Sequence, residues 1–298
     1  MITRKINFLK YRYVCFIASI LFFAAGFITY FVKGGFTYHI DFVGGAEIRA
    51  NFSKPLKPVD LRNALSSKGW VDYSLQSIGS SGKEYFVRVS GKIDDLEAKF
   101  SSDVKSEFPD NKMVVENIDF VGAEVGKDMQ WNAFISVLLA LLILLGYISI
   151  RMKYAYAIGA VVAIIHDMLA VLVFLLFFNV PISVNILAAI LAILGYSLND
   201  TIVIFSRIRE NLKKNSDESP IGLINTSLNQ TMTRTLLTSF STLLAVGSFF
   251  VLGGETLRGF SFATMIGILV GTYSSVYIAS PIMMAFGGLA RKSQKAKN

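Results

Sequence analysis

At 298 residues the chain is long enough for one large or two smaller water-soluble domains, yet 53% of it is apolar and only 17% charged, where about 25% charged is usual in soluble proteins. Its single cysteine, Cys15, excludes an internal disulfide, and the Cys/His spacing of a zinc site is absent. The net charge of +8 is not that of a nucleic-acid groove: residues 33–130 hold 13 Lys and Arg against 15 Asp and Glu, so the excess lies entirely among the apolar runs. Charge placed there orients a membrane protein and does not track phosphates; no nucleic-acid partner is expected.

In chain order, six apolar segments are long enough to cross a bilayer at about 20 residues each: 13–32, 131–150, 155–179, 182–206, 235–253 and 259–287. The first follows Arg4, Lys5, Lys10 and Arg12 like the start of a signal peptide, but it is longer than a cleavable apolar region and no small-residue cleavage site closes it, so it reads as an anchor. Basic residues gather on one side: the N-terminal cluster, Arg151 and Lys153, Arg207 to Lys214, and Arg291 to Lys297, with Arg258 the exception. Both termini are therefore expected in the cytoplasm and segment 33–130 outside.

That gives four regions: 1–32, N-terminus and first helix; 33–130, an external α+β domain; 131–290, a five-helix membrane domain; and 291–298, a basic tail. Within 33–130, residues 45–52 alternate as a strand, Val59–Lys68 forms a helix opened by Pro58, and Asp72–Ile78 and Glu84–Ser90 are alternating runs separated by the turn Gly79-Ser80-Ser81-Gly82. Asp94–Phe108 has helical spacing and Met113–Phe120 returns as a strand. The order β-α-β-β-α-β is ferredoxin-like.

Ionisable groups inside spans are candidate functional residues, because each is costly unless partnered. Asp200 lies in the fourth span, Arg234 opens the fifth, and His166-Asp167 sits near the middle of the third. On the fifth span Thr231, Thr235, Thr238 and Thr242 recur at helical spacing beside the row Arg234, Thr238 and Ser241. Such a stripe faces a partner helix or a hydrated path, or else bonds back to its own helix. An ionised Asp200 needs a cation such as Arg234 or a metal ion, whereas a protonated one releases it. Such a carboxyl can couple ion entry to helix movement, one charge crossing the membrane potential supplying about 2.3 kcal/mol per 100 mV; the alternative is a static buried pair. Arg207 is a competing partner that can instead snorkel to the surface. His166 and Asp167, being adjacent, point different ways around their helix, so a packing role weighs as much as a relay. Asn199 and Thr201 flank the candidate carboxylate. Gly267 and Gly271 form a small-xxx-small pattern suited to close helix approach. Neither a Walker-type loop nor a dinucleotide fingerprint is present, so no cofactor is expected and an ion gradient is the expected energy source.

Asp41-Phe42-Val43-Gly44-Gly45 lies just after the first span and Val121-Gly122-Ala123-Glu124-Val125-Gly126 leads into the second. These resemble the D-F-x-G-G signature and the V-G-x-x-V-G element of the SecD/SecF family of membrane proteins, in the resistance-nodulation-division superfamily. Gly195 to Asn211, Ser227 to Thr235 and Arg258 to Ala263 resemble elements of the family's SecF branch. The resemblance implies a multi-pass subunit of the bacterial cytoplasmic membrane that pairs with SecD into a twelve-helix unit. It implies that this unit assists the SecYEG channel, with YajC a further candidate partner, and draws on the proton or sodium gradient to move a translocating polypeptide. It assigns ion coupling to Asp200 with Arg234 as its basic partner, and leaves His166-Asp167 without a settled role. Ser206 departs from the acidic residue many relatives carry before the Arg. A half-size lipid or drug exporter and a non-transducing scaffold are the competing readings.

Overall fold

The computed structural model describes residues 6–70, 73–79, 81–89, 95–152, 154–215 and 219–287, apart from the side chains of residues 255 and 256. Arg4, Lys5, Lys153, the tail 291–298, and Asp72, Ser80, Ser90 and Asp94 at the edges of expected elements lie outside those residues. The chain divides into two compact units, Tyr38–Phe134 and the remainder.

In the smaller unit a short helix α2 (Ile40–Val43) leads into strand β1 (Gly45–Phe52), helix α3 (Pro58–Ser67), strands β2 (Tyr73–Ile78) and β3 (Glu84–Val89), helix α4 (Leu96–Glu107) and strand β4 (Met113–Val121). The sheet order is β2-β3-β1-β4 with every neighbouring pair antiparallel, the ferredoxin-like arrangement that the element order implied. Alternation along β1 sends Ala46, Ile48, Ala50 and Phe52 into a core shared with Leu61 and Leu65 of α3 and Phe100 and Val104 of α4. Trp70 closes one end, its indole donating to Asp103 at 2.8 Å. The opposite face of β1 is charged: Glu47 bonds Arg88 of β3 and Arg49 lies 3.1 Å from Glu84. The helices therefore cover one side of the sheet, and cross-strand ion pairs knit the other.

Among the described residues six helical segments are long and apolar enough to span a membrane. They are α1 (Arg12–Lys33, preceded by one 3₁₀ turn), α5 (Ala123–Arg151), α6 (Tyr154–Phe177), α7 (Val184–Lys214), α8 (Pro220–Leu252), and a last segment made of α9 (Gly254–Ser274), a π-helical turn (Ser275–Ala279) and α10 (Ser280–Phe286). Several outrun their apolar stretches. The 31 residues of α7 make about 46 Å of helix against a hydrocarbon core of about 30 Å, so α7 continues beyond residue 206 to Lys214. Glu210 and Lys214 form an i,i+4 pair there at 2.8 Å. Likewise α8 starts at Pro220, a residue suited to the first helical turn, which places Arg234 well inside a helix.

The interior of the membrane unit is built by α6, α7 and the last segment, whose buried residues include Ala160, Ile164, Leu198, Phe205, Ala279 and Met283. By contrast α1 and α5 leave nearly all of their apolar residues uncovered. Pro281 lacks the N–H that a regular helix would use, and the π turn just before it absorbs the irregularity, with Ser280 Oγ donating to the Ser275 carbonyl at 3.0 Å.

Candidate functional site

Asp200 is carried into the interior by the inward face of α7, which reads Ile193, Ser197, Asp200, Thr201, Ile204 and Ile208. It is 3% exposed, and its Oδ2 has no hydrogen-bond partner among the described residues. Arg234 of α8 attracts it through space, but the described residues contain no Asp200–Arg234 contact within 4.0 Å. Arg207 is engaged elsewhere, donating to Gln230 at 2.6 Å and to Glu210 at 2.6 Å, which leaves Arg234 as the cation acting on the buried carboxylate.

The polar residues of α8 divide by where they point. Thr231, Thr235 and Ser239 form its buried row, at i, i+4 and i+8. Thr231 bonds back to the carbonyls of Ser227 and Leu228, Ser239 reaches Thr272 of α9 at 2.8 Å, and Thr235 Oγ1 is buried without a partner among the described residues. Thr238, Ser241 and Thr242 spend their hydroxyls on their own helix, on the carbonyls of Arg234, Thr235 and Thr238. Arg234 and Ser241 are exposed on the outer side of α8. The threonine row read from the sequence thus divides: its first two members continue inward to Ser239, and Thr238 and Thr242 leave that row. Asn199 lies on an exposed flank of α7, apart from Asp200, whereas Thr201 is fully buried and meets Ser275 at the π turn, Oγ to Oγ 2.9 Å.

His166 and Asp167 turn to different neighbours, as adjacency implied, and also meet each other. His166 Nδ1 lies 3.2 Å from Asp167 Oδ1, so the pair is bonded internally while its two ends reach opposite neighbours. Asp167, fully buried, accepts from Ser197 of α7 at 2.5 Å. His166 Nε2 reaches Ser19 of α1 at 3.1 Å, and Ser19 reaches Tyr273 of α9 at 3.0 Å. Four helices therefore meet through one polar network. Ser19, Ser197, Tyr273 and Ser275 were not singled out from the sequence, although Thr272 to Ser275 is a polar run inside an apolar span. Gly267 and Gly271 bring α9 against α7: a Cβ on Gly271 would stand 3.1 Å from Ser197 Cβ.

A family model described as "Protein export membrane protein SecD/SecF, C-terminal" matches residues 101–288. The chain is 36% identical over 287 residues to the protein translocase subunit SecF of Vibrio alginolyticus, covering 95% of this chain and 90% of that one. It is 35% identical over 302 residues to the SecF subunit of Petrotoga mobilis, covering 98% and 99%. The crystal structure of SecDF, a translocon-associated membrane protein from Thermus thermophilus, superposes with a TM-score of 0.87 at 31% identity over 97% of this chain. This chain spans only 39% of that longer SecDF chain. With two thirds of the chain or more aligned to relatives of this kind, and the same six-span and ferredoxin-like architecture, the chain belongs to the SecD/SecF family of protein-export membrane proteins.

Proposed function

We propose that this chain is the SecF-type subunit of a bacterial Sec export assembly. It pairs with a SecD-type partner in the cytoplasmic membrane, both termini in the cytoplasm and the Tyr38–Phe134 unit outside, and draws on an ion gradient to promote late movement of polypeptides through SecYEG. The observation that carries this reading is Asp200: a carboxylate 3% exposed on a membrane helix, with one oxygen lacking any hydrogen bond from the described residues. A carboxyl so placed is costly unless it takes up a proton or a cation, and a group that must exchange an ion to be stable is the element a gradient-driven subunit requires. A lone carboxyl beside an arginine favours the proton.

Arg234 supports the pairing. It is exposed on an apolar helix, in a row with Leu237, Phe240 and Ser241, and a guanidinium on a lipid-facing surface is unfavourable. A second membrane subunit covering this face of α8 removes that cost and closes the Asp200 site from outside.

The test is complementation of cells lacking their own copy with Asp200→Asn at matched membrane levels, reading accumulation of unprocessed secretory precursors. Failed export with the variant inserted and still co-purifying with its SecD-type partner is the expected result. Precursor clearance equal to wild type would remove ion coupling at Asp200 and leave a scaffold.

A further inference from the structure

The hydrogen-bond chain around His166 has a direction, fixed at its outer end by a group that can only accept. The Cys15 carbonyl accepts from the Tyr273 hydroxyl at 2.7 Å. A phenol has one proton, so in its 3.0 Å contact with Ser19 the Tyr273 oxygen accepts and Ser19 donates. The one hydroxyl proton of Ser19 is then used, and its oxygen accepts from His166 Nε2 at 3.1 Å. Nε2 therefore carries a hydrogen. On the far side of the ring, Nδ1 is 3.2 Å from Asp167 Oδ1, and Asp167 Oδ2 is already accepting from Ser197. Two bare acceptors facing each other in a buried site repel, so one proton lies between Nδ1 and Oδ1. Whether it is drawn as imidazolium with carboxylate or imidazole with carboxylic acid, the pair is neutral overall.

We propose that His166 and Asp167 form a second proton-binding site of this chain, separate from Asp200, which holds one proton in the Nδ1–Oδ1 contact and ties it through Ser197 to the position of α7. Its link to export rests on the reading of Asp200 as the coupling residue; its proton does not. The groups facing the pair from neighbouring helices are Ser19 and Cys15 on α1, Tyr273 on α9 with the Tyr277 ring tilted against it, and Ser197 on α7. Asp200 follows Ser197 by less than one turn. Among the described residues none of these neighbours is a Lys or Arg, and Phe23 packs edge-on against the imidazole at 5.2 Å. Loss of the shared proton thus leaves Asp167 with an uncompensated charge whose only other donor among the described residues is the Ser197 hydroxyl.

The wall opposite is closed: a Cβ on Gly271 would lie 3.2 Å from Ser197 Oγ and 3.5 Å from Asp167 Oδ2. The strain of deprotonation is therefore borne by the α6–α7 contact. The next turn of α7 holds Thr201, bonded to Ser275, and Asp200 lies between the two anchored positions. A rearrangement at Ser197 changes the setting of Asp200, which makes Asp167 a positioning residue for the coupling carboxyl.

The chain has two histidines, so ¹⁵N-histidine labelling of a His39→Gln background in the membrane-embedded complex with its partner leaves His166 as this chain's only labelled imidazole. The expected solid-state NMR signal is that of an Nε2 carrying a hydrogen, with the Nδ1 resonance displaced by the proton it shares with Asp167. Asp167→Asn removes that displacement, and Asp200→Asn leaves it in place. A ring with a bare Nε2, or an Nδ1 signal unmoved by Asp167→Asn, overturns the site. Ser197→Ala keeps the pair and cuts the tie: the Nδ1 signal should persist while precursor processing slows at equal membrane levels. Unchanged processing overturns the tie to α7. If Asp200→Asn exports normally while the Nδ1 signal is unchanged, the reading of Asp200 fails and the proton site stands.

Discussion

Gly126 and Gly44 lie backbone against backbone: a Cβ on Gly126 would stand 2.9 Å from the Gly44 amide nitrogen, and one on Gly44 would stand 2.7 Å from Ala123 Cα. Gly44 also has φ +74°, a conformation L side chains rarely adopt. The two glycine motifs flanking the small unit are thus halves of one clasp, fastened by Gln130 Nε2 donating to the Phe42 carbonyl at 2.6 Å. Gly44→Ala should cost about 1–3 kcal/mol for the backbone conformation alone, and more from the clash. Faster amide exchange across Tyr38–Phe134 in the full chain is the readout. Gly122→Ala is the control, because its Cβ would meet only Val125 Cγ2 at 3.9 Å. Equal exchange in the two variants would show that the clasp is not what holds the motif.

His39 gives the same unit a pH dependence. Its Nδ1 is 3.0 Å from Asp41 and its Nε2 3.3 Å from Glu47, which also bonds Arg88. Burial disfavours the charged imidazole, but the hydrogen bonds and charges of Asp41 and Glu47 outweigh it and raise the pKa from 6.5 to about 9. A raised value means that the folded unit holds the proton more tightly, so the stabilisation is whole below pH 6.5 and is lost as the pH climbs to about 9. With the imidazole 22% exposed, solvent screening leaves about 1–2 kcal/mol. Once the intrinsic rise of exchange with pH is divided out, protection of the β1 and β3 amides should fall over that window in the wild type and stay flat in His39→Gln; the same fall in both would assign it to another group.

Much of this architecture is legible in the sequence, because its signals are periodic. Period-two alternation at 45–52 and helical spacing at Leu96, Phe100 and Val104 report burial on one face, and burial is what these elements do. Helix ends were less legible: α7 and α8 run on through polar residues because a bilayer limits only their apolar part. At the site, Asp200 and Arg234 stood out because charge in a span is rare. Ser197 did not, since a serine among apolar residues has no signal of its own until Asp167, thirty residues earlier, arrives beside it. The threonines of α8 misled for a related reason. A hydroxyl in a helix can always bond its own carbonyls, and spacing alone does not distinguish Thr238, which does so, from Ser239, which crosses to Thr272.

The two arginines near the fourth and fifth spans should separate in function. Arg207 bonds Gln230 and Glu210 at the end of the helices, and its ion pair with Glu210 has side chains 36% and 41% exposed, a setting in which water screens most of the attraction. Arg234 instead bears on Asp200. Precursor accumulation should rise sharply with Arg234→Gln and stay near wild type with Arg207→Gln at equal membrane levels. The reverse order would mean that Arg207 leaves its surface partners for the carboxylate during the working cycle.

Close approach of α9 to α7 is tested at Gly267. A Cβ there would fall 2.3 Å from Ile193 Cδ1 and 2.7 Å from its Cγ2, and Ile193 is 1% exposed in a packed cluster with Ile190, Ile186 and Ala263. Alanine is the better helix former by about 1 kcal/mol, so crowding and propensity oppose one another, and crowding should win by about 1–3 kcal/mol. Ile193→Ala alone opens a cavity worth about 2–5 kcal/mol. Combined, each change relieves the other, and the double variant should be less destabilised than the sum by more than about 0.5 kcal/mol. Thermal midpoints of the full chain in detergent measure this, with Gly247→Ala, whose Cβ meets nothing within 4 Å, as the reference for propensity alone. Additive losses would mean that α9 shifts as a body to admit the methyl group, and that Gly267 does not set its distance from α7.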